Sequence, residues 1–152
     1  MLSAAQQNAL SPLAQQFLAR LRAVLPGVAS EAHTHDGLTV RVEPVAAQVG
    51  ALEAVIEEEI RVSLGDHTHQ HIAPYLFGDA RDPAAMLAAA EAAVEFIADV
   101  LADRVVIWSA RRNGRVWVGG TCYPGRGELL GRLATEAWLW SGRAVPLRGG
   151  AA

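Results

Sequence analysis

At 152 residues, 51 % of them apolar, the chain is long enough to bury one core of ordinary size. Its single cysteine, Cys122, excludes an internal disulfide and any multi-cysteine zinc site. The formal charge of −3 hides a split: residues 1–103 hold five arginines against fourteen carboxylates, and residues 104–152 hold eight against two.

That split predicts one acidic and one basic surface. There is no lysine, so every fixed positive side chain is a guanidinium. Gln6, Gln7, Gln15, Gln16, Arg20 and Arg22 interrupt the N-terminal apolar residues, unlike a signal peptide, and no run approaches the roughly 20 apolar residues of a membrane span. The expectation is a cytoplasmic protein with no membrane partner. Negative net charge without a dense basic run argues against nucleic acid.

Ser11 and Pro12 read as the cap and first position of a helix carrying Leu13, Phe17, Leu18, Leu21, Val24 and Leu25, stopped by Pro26-Gly27. Residues 1–10 add a loose turn. After a polar loop, Leu38, Val40 and Val42 alternate with polar residues as a half-buried strand. In residues 52–64, Leu52, Val55, Ile56 and Ile60 fit a helix face, but Ile60–Gly65 reads better as strand, so a second strand is expected from about Val55, on which Glu57, Glu58 and Glu59 alternate as a solvated face. Asp82-Pro83 opens a long helix to about Asp103, with Met86, Leu87, Ala90, Val94, Ile97, Val100 and Leu101 as its buried stripe.

Residues 104–110 and 115–121 form a predicted hairpin around Asn113-Gly114, with Arg112 opposite Arg115, Ala110 opposite Trp117 and Trp108 opposite Gly119. A short helix follows from Gly127 through Leu129, Leu130, Leu133 and Ala137, while Ala137–Leu147 also reads as a last strand. The sum is one α+β domain spanning 1–152. It has an antiparallel sheet of about four strands, helices packed on one face, and the order α-β-β-α-β-β-α.

All five histidines fall in two clusters, His33/His35 and His67/His69/His71. If the two strands they flank form a hairpin, both clusters meet at one sheet end. His67 and His69 could then clasp a zinc-like metal with a ligand from His33, His35 or His71, and with Asp36 or Asp66 behind them. A metal-dependent hydrolase is thus one reading; solvated or structural histidines are the other.

The run from Gly119 to Gly127 has the strand-to-helix setting of a phosphate loop but lacks its lysine, so an ordinary turn is the better reading. Cys122 beside a histidine would suit a nucleophile, and near a strand end it also suits a small apolar residue. Trp108 and Trp117 share one face with Arg112 and Arg115, as in many protein interfaces. The competing reading covers that face with Trp138 and Trp140 as a second core. Nothing here assembles a catalytic set, which points away from an enzyme.

The segments Glu58–His69 and Ala93–Val106, the Asn-Gly hairpin and Trp140-Ser141-Gly142 together cover about half the chain. They resemble small bacterial proteins of unassigned biochemistry, some of them regarded as immunity proteins of polymorphic or contact-delivered toxins. That resemblance implies a non-enzymatic toxin inhibitor. Glu53, Glu57, Glu58 and Glu59 would then suit a basic toxin domain as partner.

Overall fold

Ser11 caps its helix as the sequence predicts: its hydroxyl accepts from the Ala14 N–H at 3.2 Å, and Pro12 takes the first helical position. In a computed structural model describing residues 1–34, 37–123 and 133–147, that helix is α2 (Pro12–Val24). A short α1 (Ala4–Asn8) precedes it, closed by a reciprocal Ser3–Gln6 capping box where the sequence suggests only a turn. The remaining elements are β1 (Ser30–Thr34), β2 (Gly37–Val42), β3 (Leu52–Ile56), β4 (Ile60–Leu64), β5 (Thr68–Ile72), a 3-10 turn (Pro74–Leu76), α3 (Pro83–Leu101), β6 (Val106–Arg112), β7 (Arg115–Cys122) and β8 (Glu136–Trp138).

The fold is α+β, with a five-stranded antiparallel sheet in the order β1-β2-β3-β4-β5 and a three-stranded sheet β7-β6-β8. This corrects the expected single sheet of about four strands and its element order. Two strands escape sequence reading because Ser-Glu-Ala-His-Thr and Thr-His-Gln-His-Ile lack apolar alternation; they form the sheet's outer strands, β1 and β5. The expected strand from Val55 is really β3 and β4, joined by a turn in which the Glu57 N–H donates to the Glu59 carbonyl at 3.0 Å. No Gly or Pro marks that turn. The three glutamates form it instead of alternating along a strand.

The described chain sorts into two compact units, one of residues 1–42, 52–62 and 70–98, the other of 43–51, 63–69 and 99–152. In the first, Leu13, Phe17, Leu18 and Leu21 of α2 are buried, as are Leu38, Val40, Leu52, Ile56, Ile60 and Val62 of the sheet. Burial on β2 and β4 follows the period of two. From α3, the unit buries Ala85, Ala89, Ala90, Ala93, Val94 and Ile97. Leu87, expected in the buried stripe, is 45 % exposed, because the small alanines rather than the largest side chains form the packed face.

In the second unit β6 is the central strand. Asn113 and Gly114 both have positive φ, 53° and 75°, as the tightest hairpin turn requires. Arg112 faces Arg115 as expected, but the register then slips by one residue between Ala110 and Arg111. Ala110 therefore faces Val118 and Trp108 faces Gly120, correcting the predicted Trp117 and Gly119 partners. Trp117 is the extra residue of a β-bulge. Residues 127–132 of the expected last helix lie outside the described residues, and Ala137 lies in β8, so the strand alternative holds for Glu136–Trp138.

Phe17→Ala should cost about 3–5 kcal/mol in urea unfolding, because a fully buried ring leaves a cavity. Leu87→Ala should stay within about 0.5 kcal/mol, as surface substitutions do. A large loss at Leu87 would contradict its exposure.

Candidate functional site

The slip at Trp117 decides what stands opposite Ser109. Across the three-stranded sheet, Ser109 lies between Gly119 on β7 and Glu136 on β8. Trp108, one residue earlier, lies between Gly120 and Ala137. Successive residues point to opposite faces, so each glycine serves one face. A Cβ on Gly119 would stand 1.7 Å from the His67 carbonyl oxygen, and one on Gly120 would stand 2.7 Å from the Trp108 indole. Gly119 and Gly120 are thus close-approach residues within β7, and the sequence reading of a turn from Gly119 is corrected. Pro124–Gly127 lie outside the described residues.

His67 is buried, and both its ring nitrogens are engaged. Nε2 meets the Gln48 carbonyl oxygen at 2.8 Å; a carbonyl only accepts, so Nε2 carries the proton that is donated. Nδ1 meets the Ser109 hydroxyl at 2.9 Å, and that hydroxyl donates to Glu136 Oε1 at 2.6 Å. Arg111 donates from Nε to the same Glu136 oxygen at 2.6 Å and from its two terminal nitrogens to Asp66 at 3.2 and 3.1 Å. The Gln48 amide donates to the Gly142 carbonyl, and the Gly65 N–H to the Ala51 carbonyl, which fixes the segment presenting the Gln48 oxygen. One chain of polar contacts thus ties residues 43–51 and 63–69 to β6 and β8.

Hydrogen bonds from Arg111 hold the Asp66 carboxyl below its ordinary value, outweighing the opposing effect of burial. Burial pushes Glu136 up, but the Ser109 hydroxyl and the Arg111 guanidinium overcome it, and its carboxyl also lies below the ordinary value. The same two carboxylates raise Arg111.

Serine, histidine and glutamate side by side suggest a hydrolytic triad, but the connections are wrong for one. A triad carboxylate orients the imidazole from the nitrogen away from the serine. Here Glu136 accepts from the serine, and a backbone carbonyl holds the far nitrogen. Ser109 has no exposed surface from which to attack a substrate. The arrangement can fasten a segment to a sheet; it cannot present a nucleophile.

The strands expected to pair and so bring the histidine clusters together are not neighbours. β1 carries His33 and β5 carries His69 and His71, at opposite edges of the five-stranded sheet. The strands at 37–42 and 60–64 are not neighbours, because β3 lies between them. His69 and His71 are exposed, and His71 Nδ1 meets Glu59 Oε1 at 2.5 Å. His35 lies outside the described residues, and for His33 only the backbone is described. Among the described residues no three His, Cys, Asp or Glu side chains gather to hold a metal ion.

Trp108 and Trp117, expected to share a face, have different surroundings. Trp108 is half-buried against a cluster of Val106, Ala137 and Leu139, with Cys122 packed on the same cluster. Trp117 is 63 % exposed, with the Arg112 guanidinium 5.1 Å from its ring centre. Arg115 is exposed at the same hairpin end. Beside Trp117 runs an open groove of about 480 Å³, walled by Val116–Gly119 and by residues 63 and 65–69. Of the acidic residues, Glu57 and Glu58 are exposed on the β3–β4 turn, and Glu53 lies 3.7 Å from Arg41. The buried network was missed from sequence because its members lie far apart along the chain.

Both carboxyls of the network ionise more readily in the folded protein than in the unfolded chain. Their contribution to stability is present above the unfolded carboxyl values and is lost as pH falls through the folded ones. Arg111→Met should therefore move the acid-unfolding midpoint to higher pH, followed by circular dichroism. An unchanged midpoint would show that Arg111 does not hold the pair. Gly119→Ala should destabilise the fold much more than an ordinary surface change.

Comparison with protein families, with curated proteins and with solved structures finds no match to this chain.

Proposed function

We propose that this chain is a small protein-binding module, an immunity-type inhibitor that blocks a toxin domain by covering it rather than by chemistry. The observation that carries this reading is Trp117. A bulge on a tight hairpin holds its indole 63 % exposed, beside Arg112 and next to a groove. Large exposed aromatics held by rigid backbone are the residue type on which interface energy concentrates. His67 and Ser109, by contrast, are withdrawn from solvent and bonded to donors and acceptors of the chain itself.

A basic partner suits the charge of the first 103 residues and the exposed Glu57 and Glu58. Such charges steer encounter, while a buried aromatic governs how long the complex lasts. A cytoplasmic site of action goes with this reading.

Co-expression with a panel of bacterial toxin domains tests the proposal. The wild type should restore growth against one of them and bind it in isolation. Trp117→Ala, with unchanged circular dichroism, should weaken binding roughly 30-fold, as loss of an interface anchor does. Glu57→Lys with Glu58→Lys should slow association and reduce its salt dependence. Protection by neither wild type nor variants, or full protection by Trp117→Ala, would overturn the reading.

A further inference from the structure

Along the groove beside Trp117, one wall is β7, with Val116, Trp117, Val118 and Gly119; the other is the segment from Ser63 to His69 that His67 fastens down. Asp66 is the one formally charged side chain in this lining, and its side chain is 67 % exposed. Opposite stands an indole that already accepts a guanidinium from Arg112. Neither arginine of the hairpin tip is part of the lining.

We propose that this groove receives a basic side chain, an arginine or lysine of the bound partner, between the Trp117 indole and the Asp66 carboxylate. The inference rests on the protein-binding reading and names the chemistry of its contact. Two carboxylates, Asp66 and Glu136, share the single Arg111 guanidinium. Of these three groups, Asp66 is the solvent-facing end. Glu136, the other carboxylate, is only 25 % exposed and bonded to Ser109 and Arg111. An incoming cation therefore meets Asp66. The indole adds a flat electron-rich surface for the cation and an apolar one for its methylene stem. The hydroxyls of Ser63 and Thr68, also in the lining, suit the remaining N–H donors of a guanidinium. An acidic or purely apolar side chain would find no such set.

The groove also dictates geometry. Gly119 lets the Ser63–His69 segment lie against β7, and the bulge turns Trp117 out of the regular alternation. The wall distance is thus set by the buried network and not by the ligand.

The direct test is titration of isotopically labelled protein with Nα-acetyl-arginine methylamide, followed by NMR amide and indole shifts. Nα-acetyl-glutamate methylamide and Nα-acetyl-norleucine methylamide serve as controls. The arginine probe should shift the Trp117 indole and the amides of residues 63–69 and 116–119 in saturable fashion, at millimolar concentration. Asp66→Asn should weaken it roughly two- to fivefold, the range of an exposed ion pair. Trp117→Phe, which keeps an aromatic ring, should retain part of the binding, and Trp117→Ala should lose it. Asp66→Asn also loosens Arg111, so the charge requirement is checked independently by raising salt, which should weaken the arginine probe alone. Equal shifts from all three probes, or none from the arginine probe in the folded protein, would overturn the inference. Toxin protection is read separately, so a silent groove in a protecting protein would refute the groove and leave the inhibitor reading intact.

Discussion

One imidazole organises the second unit. His67 is buried, and burying a polar ring without partners costs a few kcal/mol, so both nitrogens must find oxygen. They find the Gln48 carbonyl on one side and the Ser109 hydroxyl on the other. From Ser109 the contacts run through Glu136 and Arg111 to Asp66, back beside His67 in the chain. The loop of contacts closes on the segment where it began. That closure makes residues 63–69 a fixed wall instead of a loose connection.

The sheet meets this wall by backbone means. A row of Gly119, Ser109 and Glu136 crosses one face, giving in turn space, a hydroxyl and a carboxylate. The next row, Gly120, Trp108 and Ala137, gives the other face room for an indole over a glycine. The bulge that brings these rows into register also leaves Trp117 over, exposed. The same one-residue slip thus sets Gly119 opposite Ser109 and leaves Trp117 as the surface aromatic.

How much of this the sequence reveals depends on whether the signal is local. The cap at Ser11-Pro12, the alternation of Leu38, Val40 and Val42, and the positive-φ pair Asn113-Gly114 are local choices, and each emerges where expected. β1 and β5 are held by neighbours in the sheet and not by their own polar residues, so no periodicity marks them. Missing β3 as a separate strand makes the strands flanking the histidine clusters neighbours, when the five-stranded order sets β3 between them. The site suffered most from the slip. A two-residue turn counted without a bulge pairs Trp108 with Gly119, and only the observed register puts Ser109 there. Paired glycines inside a strand are also easily taken for a turn until the atoms that occupy their missing side chains are seen.

A double-mutant cycle between His67→Ala and Glu136→Ala, read by urea unfolding, tests this account most directly. The two residues share the Ser109 hydroxyl, so their losses should not add. A coupling of about 1 kcal/mol or more is expected for members of one buried network. Strictly additive losses would mean that His67 and Glu136 act separately, and that the network does not hold the wall on which the binding surface depends.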